Sequence, residues 1–171
     1  MSPRQIEVNR NKILGWLKED NIIHKETDVS KFPVFKWSIH VKDNNIAIYT
    51  IASLPDRVIV QSDITFSEEQ QDLLNKKWDI KKLNALILNI ITSLTTFNVR
   101  YRILQKEDKI TGIRIHLFLI DSLNKETLMN SVSRIGEVFA VTLFQLSSVI
   151  GVELQQLKEQ QEASSFNPLA T

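Results

Sequence analysis

Apolar residues recur at every third or fourth position in three stretches of the chain, which is the spacing of one face of an α-helix. The first stretch covers Arg4 to Asp20, and the second follows Asp79. The third is the longest and runs from about Asn124 to Gln160. Each stretch predicts an amphipathic helix whose apolar side must pack against another element.

Two capping patterns divide the middle of the chain. Ser67 is followed three residues later by Gln70, a spacing that lets each side chain bond a free backbone amide at a helix start. A helix should therefore cover residues 68–77. Asp79 can cap a second, stronger helix, in which the leucines and isoleucines between Leu83 and Leu94 form a wide apolar stripe. The pattern predicts a middle helix that is split in two.

Five other stretches carry the apolar pattern of strands, most of them with one buried face. The first three follow one another with short turns between them. The turn residues are Asp and Asn at positions 43–45 and Pro55 in the LPDR segment. These three strands are expected to form an antiparallel meander. The predicted strands cover residues 35–41, 46–52, 58–66, 98–104 and 112–119.

In order, these elements predict an α+β fold of the type α-β-β-β-α-β-β-α. Its five strands form one antiparallel sheet, and the helices cover the apolar face of that sheet. A chain of 171 residues is long enough to bury most of its apolar surface in one core. We therefore expect a single domain over residues 1–160 and a flexible C-terminal tail over residues 161–171.

This order of elements resembles that of the bacterial type III secretion chaperones. The same fold occurs in a wider group of small proteins, which includes uncharacterised archaeal relatives. The likeness extends from Ile6 to about Leu157 and lies in the order of elements, because no sequence motif accompanies it. The resemblance implies a homodimer that holds other polypeptides. It implies no particular functional residue.

The composition limits the classes of function. Lys and Arg number 21 and Asp and Glu number 20, so the net charge of +1 produces no long-range field that would attract nucleic acid. The chain has no cysteine, which removes thiol catalysis, disulfides and thiolate metal sites. No segment reaches the roughly 20 apolar residues of a membrane-spanning helix, and the first residues lack the apolar stretch of a secretory signal. We therefore expect a cytoplasmic protein that does not span a membrane.

Residues that could carry catalysis or bind a metal are scattered. None of the three histidines, His24, His40 and His116, stands three or four residues from another ligand on one helical face. The four glycines form no phosphate-binding loop. The serines of the SSVIG segment lie inside a predicted helix and not at a strand-to-helix turn. The sequence therefore predicts neither an enzyme nor a site for a cofactor or metal ion.

The last two predicted strands carry a row of cationic side chains at alternate positions. Because the apolar residues of both strands must face the core, the cations share the outward face, and every allowed register brings them together. One such register sets Arg102 opposite Arg114. The row is either an anion- or peptide-binding surface or a solvated face whose charge Asp63 neutralises. Its candidate binding residues are Arg100, Arg102, Arg114, His116, Lys36 and His40.

The last predicted helix is longer than its own domain can cover. Its 37 residues, at about 1.5 Å each, would reach roughly 55 Å, whereas a compact chain of this size is roughly 40 Å across. Further apolar residues widen its apolar surface, which predicts contact with a second copy of the chain. The alternative is a helix that breaks near Gly151 and folds back. The candidate dimer-interface residues are Val138, Val141, Phe144, Val149 and Val152.

These features favour a non-catalytic interaction module of chaperone or adaptor type that forms a homodimer and binds a polypeptide. Backbone pairing or apolar anchoring would hold the polypeptide, and the arginine row would select acidic segments. One alternative is a nucleic-acid-associated protein that uses the same basic face. Another is a small-molecule sensor with a pocket between the sheet and the helices.

Overall fold

The computed structural model describes residues 3–42, 45–119 and 123–165, with side chains from Gln5 to Gln160 within those ranges. The helices are α1 (Pro3–Glu19), α2 (Glu68–Asp72), α3 (Ile80–Thr96), α4 (Lys125–Leu146) and α5 (Val152–Ser165). Two π-helical turns adjoin them, Leu73–Lys77 after α2 and Ser147–Gly151 between α4 and α5. The strands are β1 (His24–Glu26), β2 (Phe35–Val41), β3 (Ile46–Ile51), β4 (Leu54–Thr65), β5 (Arg100–Lys106) and β6 (Lys109–Leu119).

The strands form one antiparallel sheet in the order β1-β2-β3-β4-β6-β5. The fold is α+β as predicted, but the sheet has six strands where five were expected. The additional strand, β1, pairs His24 with Val41 and Glu26 with Ile39 of β2. It has three residues and no buried side chain, so it offers no alternation of apolar and polar residues that a sequence pattern could reveal.

The turn between β3 and β4 lies earlier than predicted. Residues 52–53 form it, and Ile51 pairs with Leu54 across it. Pro55 therefore lies near the start of β4, where the missing backbone N–H is tolerated, and not inside the turn. As a result, Arg57 belongs to a strand.

The middle helix is split by the caps that the sequence predicts. The Ser67 hydroxyl accepts a hydrogen bond from the Gln70 N–H at 3.3 Å, and Gln70 Oε1 accepts one from the Ser67 N–H at 2.9 Å. Farther along, Asp79 Oδ1 accepts a hydrogen bond from the Lys82 N–H at 2.8 Å at the start of α3. Trp78, in an extended conformation, separates the two helical segments. The predicted split and both caps are confirmed.

The helices pack on one face of the sheet, with α4 against the central strands β3, β4 and β6. Leu17 of α1, Ile90 of α3 and Leu128 of α4 are each at most 2% exposed. They belong to one buried cluster with Ile48 and Ile115 of the sheet. The opposite side, called the outward face below, is the side of the sheet that points away from these helices.

The last helix is continuous from Lys125 to Gln160 and does not fold back at Gly151. The π-helical turn at Ser147–Gly151 changes the helical winding there without ending the helix. The far end of the helix lies against α2, where Lys158 Nζ is 3.2 Å from Glu69 Oε2. The chain therefore covers part of the excess length itself.

Among the described residues, the last helix is the one stretch long and apolar enough to cross a membrane by length and composition. Its inner side carries Leu128, Ile135 and Leu146, which are buried in the core of the same chain. Because a core helix of a globular domain passes the same test, this feature is weak evidence for a membrane span.

Two predicted irregular segments lie partly outside the described residues. The predicted turn at 43–45 includes residues 43–44, which are not described. Within the predicted tail, 161–171, the backbone of α5 continues to Ser165, so the helix is longer than expected. Residues 166–171 are outside the described ranges.

Gly112 allows β4 and β6 to approach closely. A Cβ atom at this position would lie 2.2 Å from the carbonyl oxygen of Ile64, which belongs to the backbone of the neighbouring strand. One of the two strands would have to shift. We expect Gly112→Ala to lower the free energy of unfolding by about 1–3 kcal/mol, measured by urea denaturation.

Gly15 provides a matched control for this substitution. It lies inside α1, and a Cβ atom there would have no neighbour within 4 Å. Gly15→Ala should raise the free energy of unfolding by about 0.5–1 kcal/mol, because alanine favours the helical backbone. A neutral or stabilising effect of Gly112→Ala would contradict the close approach of the two strands.

Candidate anion-binding surface

The outward face of the sheet carries the cationic row predicted for the last two strands. Arg102 of β5 lies opposite Arg114 of β6, in one of the registers that the sequence allows. In the same register Arg100 lies opposite His116. The other neighbour of β6 is β4, which places Asp63 opposite Arg114. The four cationic candidates therefore cluster on two adjacent strands, with the Asp63 carboxylate beside them.

Asp63 neutralises Arg114. Arg114 Nε donates to Asp63 Oδ1 at 2.9 Å, and Nη2 donates to Oδ2 at 2.7 Å, which is the bidentate geometry that favours this pair. The hydrogen bond to Asp63 raises the pKa of Arg114, against the opposing effect of burial. Gln61 Nε2 also donates to Asp63 Oδ1 at 3.0 Å, and the Tyr49 hydroxyl donates to Gln61 Oε1 at 2.6 Å. This network holds Arg114 in place.

The surroundings of His116 favour its neutral form. Burial lowers its pKa below the ordinary value of 6.5, and Arg100 and Arg114 lower the pKa further while Asp63 opposes them. The Nδ1 atom is buried and has no hydrogen-bond partner among the described residues. A hydrogen on Nδ1 would remain unsatisfied there, which favours the tautomer that carries its hydrogen on Nε2.

Phe118 lies close to two guanidinium groups. The Cζ atoms of Arg57 and Arg100 are 5.7 Å and 5.0 Å from the centroid of its ring, within the range of a cation–π interaction. The His116 ring meets Phe118 edge-on, with 5.1 Å between the centroids. The sequence does not single out Arg57, because the LPDR segment predicts a turn and not the start of a strand.

Arg100 and Arg102 are exposed and have no carboxylate within 4.0 Å among the described residues. Arg57 Nε is buried without a hydrogen bond, and the Asp56 carboxylate is 4.0 Å from it. Within the described ranges, Arg100 and Arg102 therefore lack a nearby compensating carboxylate, whereas Arg57 has Asp56 at the limit of ion-pair distance. Their positive charge makes this part of the sheet a candidate site for an anionic group.

A concavity of about 190 Å³ lies within this cluster. Typical small-molecule sites measure roughly 300–1,000 Å³, so the space suits individual side chains of a larger ligand better than a whole cofactor. It is lined by Tyr49, Ile51, Leu54, Ile59, Gln61, Arg102, Arg114, His116 and Phe118.

Residues 9–146, from α1 to the end of α4, match a family of conserved proteins. The chain belongs to the DUF2299 family. The members of this family are described as uncharacterised conserved proteins. No curated protein matches this DUF2299 chain.

Two solved structures are similar to this DUF2299 chain. An uncharacterised protein from Methanothermobacter thermautotrophicus is 17% identical with a TM-score of 0.68, and the match covers 82% of this chain and 97% of that one. This likeness shows a shared fold. YbjN from E. coli, a proposed transcription regulator, is 12% identical with a TM-score of 0.48, and the match covers 75% of this chain and 86% of that one. Neither is described as a type III secretion chaperone, so that resemblance remains one of element order.

Lys36 and His40, the other two candidate binding residues, lie on β2. His40 pairs with Ala47 of β3, and Ala47 pairs with Gln61 of β4, so two strands separate His40 from His116. Three strand spacings of about 4.8 Å put the two histidines roughly 14 Å apart. Lys36 lies at a β-bulge farther along β2. The fold of this DUF2299 chain does not bring these two residues into the arginine cluster.

The described residues bring no three His, Asp or Glu side chains together as metal ligands. Between the sheet and the helices, the space next to Leu86, Ile90 and Ile113 measures about 10 Å³. That volume is at the lower limit for a single water molecule. A small-molecule sensor with its pocket in this place would need the helices to move apart.

The candidate dimer-interface residues fall into two groups. Phe144 is 75% exposed and Val152 is 52% exposed, and Val141 and Val149 are exposed as well. Val138, by contrast, is 1% exposed and belongs to the core of its own chain. The expectation for Val138 is therefore corrected, because a side chain packed inside the monomer is not available to a second copy.

The low pKa of His116 makes part of the stability depend on pH. Unfolding returns the imidazole pKa to about 6.5, so below that pH the unfolded chain takes up a proton that the folded chain does not bind. This part of the stability is present above about pH 6.5 and is lost as the pH falls through the folded-state pKa. His116→Gln should remove this pH dependence. The measurement compares the free energy of unfolding, from urea denaturation, at about pH 7.5 and about pH 5.5. An unchanged pH dependence in His116→Gln would contradict the assignment.

Proposed function

We propose that the chain is a non-catalytic interaction module of chaperone or adaptor type, which holds an acidic polypeptide segment on the outward face of its sheet. The observation that supports this best is the pair of exposed arginines, Arg100 and Arg102, which have no carboxylate partner among the described residues. The ring of Phe118 lies 5.0 Å from Arg100 Cζ and is partly exposed. Charge and apolar surface are thus combined in one place, as peptide recognition requires.

The charge balance favours a polypeptide over nucleic acid. Affinity for a phosphate chain grows with the number of phosphates that are neutralised, and the chain as a whole carries a net charge of only +1. Aromatic stacking surface is also limited. The Tyr49 ring packs edge-on against Phe35 at 5.2 Å and its hydroxyl is bound to Gln61, which leaves Phe118 beside the arginines.

Two kinds of contact can hold such a segment. β5 is the last strand of the sheet, and no described strand pairs with its outer edge, so a client could add a strand there. Alternatively, the segment could lie over the concavity, with apolar side chains on Ile59 and Phe118 and carboxylates near the arginines.

We further propose that two copies associate through their last helices. Residues 138–152 contain no charged side chain, and Phe144 and Val152 are largely exposed within this stretch. An exposed apolar surface of this kind is typical of an interface.

Loss of the two unpaired arginines should weaken the binding of an acidic peptide. The probe is a fluorescein-labelled peptide of repeated Glu-Ser units, titrated with the full chain and followed by fluorescence anisotropy. Arg100→Gln/Arg102→Gln is expected to bind it about tenfold more weakly, because each exposed ion pair contributes up to about 1 kcal/mol. Added salt should weaken the parent chain's binding for the same reason.

The control is Lys12→Gln/Lys18→Gln, which removes the same charge from exposed positions on α1. This variant should bind the peptide like the parent chain. An equal loss in both double variants would show that net charge alone matters and would contradict the proposed surface. Tighter binding of a single-stranded oligonucleotide of similar length, also lost with the arginines, would favour the nucleic-acid alternative.

A charge in the middle of the exposed helix face should separate the two copies. Phe144→Glu is expected to weaken self-association by at least about tenfold in sedimentation velocity, because the carboxylate would be buried without a partner. Ile23→Glu is the control, since Ile23 is 55% exposed and lies in the connector before β1. It should leave association unchanged, and a parent chain that sediments as a monomer would contradict the dimer.

A further inference from the structure

The residues that line the concavity change from apolar to cationic along the direction of the strands. Strand pairing arranges them, with Arg100 and Asp63, in rows that cross the sheet. The last three rows are two residues apart on each strand, which is about 6.7 Å. Between the first two rows the spacing is two residues on β3, from Tyr49 to Ile51, but five on β4, from Leu54 to Ile59, because the register shifts there. In order, the rows hold Ile51 with Leu54; Tyr49 with Ile59 and Phe118; Gln61 with His116 and Arg100; and Asp63 with Arg114 and Arg102.

The first two rows present mainly apolar surface, and one cation, the Arg57 guanidinium group, reaches the Phe118 ring of the second row. Ile51 and Leu54 are partly exposed at one end of the concavity, and Ile59, at 4% exposed, forms part of its floor. The Phe118 ring stands next to Ile59 in the second row. An apolar side chain over these residues would remove more of their surface from water.

The last two rows present uncompensated charge. Arg100 ends the third row and Arg102 ends the fourth, and neither has a carboxylate partner among the described residues. Arg114 is already bound by Asp63, so its guanidinium group is not available to a ligand. Carboxylates two residues apart on a bound strand would meet Arg100 and Arg102 in turn.

We infer that the concavity binds an extended acidic segment that lies along the strands, with apolar side chains over the first two rows and carboxylates over the last two. This inference rests on the proposed function and adds the sequence pattern of the segment. Apolar and acidic residues must occupy every second position, so that all of them face the sheet. A segment paired with the edge of β5 would not reach Leu54, because β6 separates β5 from β4.

The pKa of His116 indicates whether a ligand lies over the third row. Burial and the neighbouring arginines lower its pKa in the free chain, and a bound carboxylate beside it would raise that pKa. NMR titration of the imidazole therefore detects a ligand seated over this row. The charged and titratable groups around His116 are Arg100 and Arg102 on β5, Arg114 on β6, Asp63 and Arg57 on β4, and Tyr49 on β3.

The test compares two labelled peptides of identical composition on the full chain. In Leu-Ser-Leu-Ser-Glu-Ser-Glu all the leucines and glutamates fall on one face of an extended strand, whereas in Leu-Ser-Leu-Glu-Ser-Glu-Ser the glutamates fall on the other face. The in-phase peptide is expected to bind about tenfold more tightly and to raise the pKa of His116. Both peptides are also made with the order of residues reversed. The in-phase peptide that binds more tightly, forward or reversed, is then compared with the out-of-phase peptide of the same orientation.

Leu54→Ser tests the contribution of the apolar rows to binding separately from the contribution of the charges. It should weaken binding of the in-phase peptide by about threefold to tenfold and leave binding of Ser-Ser-Ser-Ser-Glu-Ser-Glu unchanged. Ile80→Ser, at a 72% exposed position on α3, is the matched control and should affect neither peptide.

Equal affinity of the two isomers, or unchanged affinity after Leu54→Ser, would overturn the inference. The proposed function would stand in that case if Arg100→Gln/Arg102→Gln still weakened binding of both peptides. Failure of every peptide to bind the parent chain would overturn the inference and the proposed function together.

Discussion

The pairing of β4 with β6 determines which residues of the sheet meet the helices and which remain outside. Side chains alternate along a strand, so the register that buries Ile113 and Ile115 also turns Arg114 and His116 outward. A shift by one residue would place a guanidinium group in the core and expose the isoleucines. The cost of burying an unpaired charge makes that register inaccessible. The cationic cluster is thus a consequence of how the core is formed.

The same pairing divides the arginines into two kinds. Arg114 lies on a strand with neighbours on both sides, and β4 supplies Asp63 to neutralise it. Arg100 and Arg102 lie on β5, which has a described neighbour on one side only, so no equivalent carboxylate faces them. Charge that can still attract a ligand is therefore concentrated at the edge of the sheet, and the interior strands keep it in position.

The sequence predicts features that depend on neighbouring residues along the chain. The capping box at Ser67, the order of the main elements and the shared face of the cations all follow from spacing. It could not predict β1, which lacks alternation, or the start of β4, because Pro55 suits a turn as well as a strand end. The position of Arg57 near Phe118 depends on that strand start and was out of reach for the same reason.

Periodicity also marks the apolar side of a helix without showing how much of that side its own sheet covers. Val138 and Val141 both widen the apolar stripe of the last helix, yet the sheet buries the first and leaves the second exposed. The distinction depends on the angle at which α4 crosses β3, β4 and β6, which is a property of the assembled fold.

The two proposed surfaces lie on opposite sides of the chain, and this arrangement has a functional consequence. The last helix packs its inner side on the sheet, so Phe144 points away from the face that carries Arg100 and Arg102. Two copies joined through their last helices would leave both concavities open to solvent. A long client with two suitable segments could then occupy both sites at once, and the second contact would form at a high effective concentration. Weak individual ion pairs would in this way be sufficient to hold an extended polypeptide.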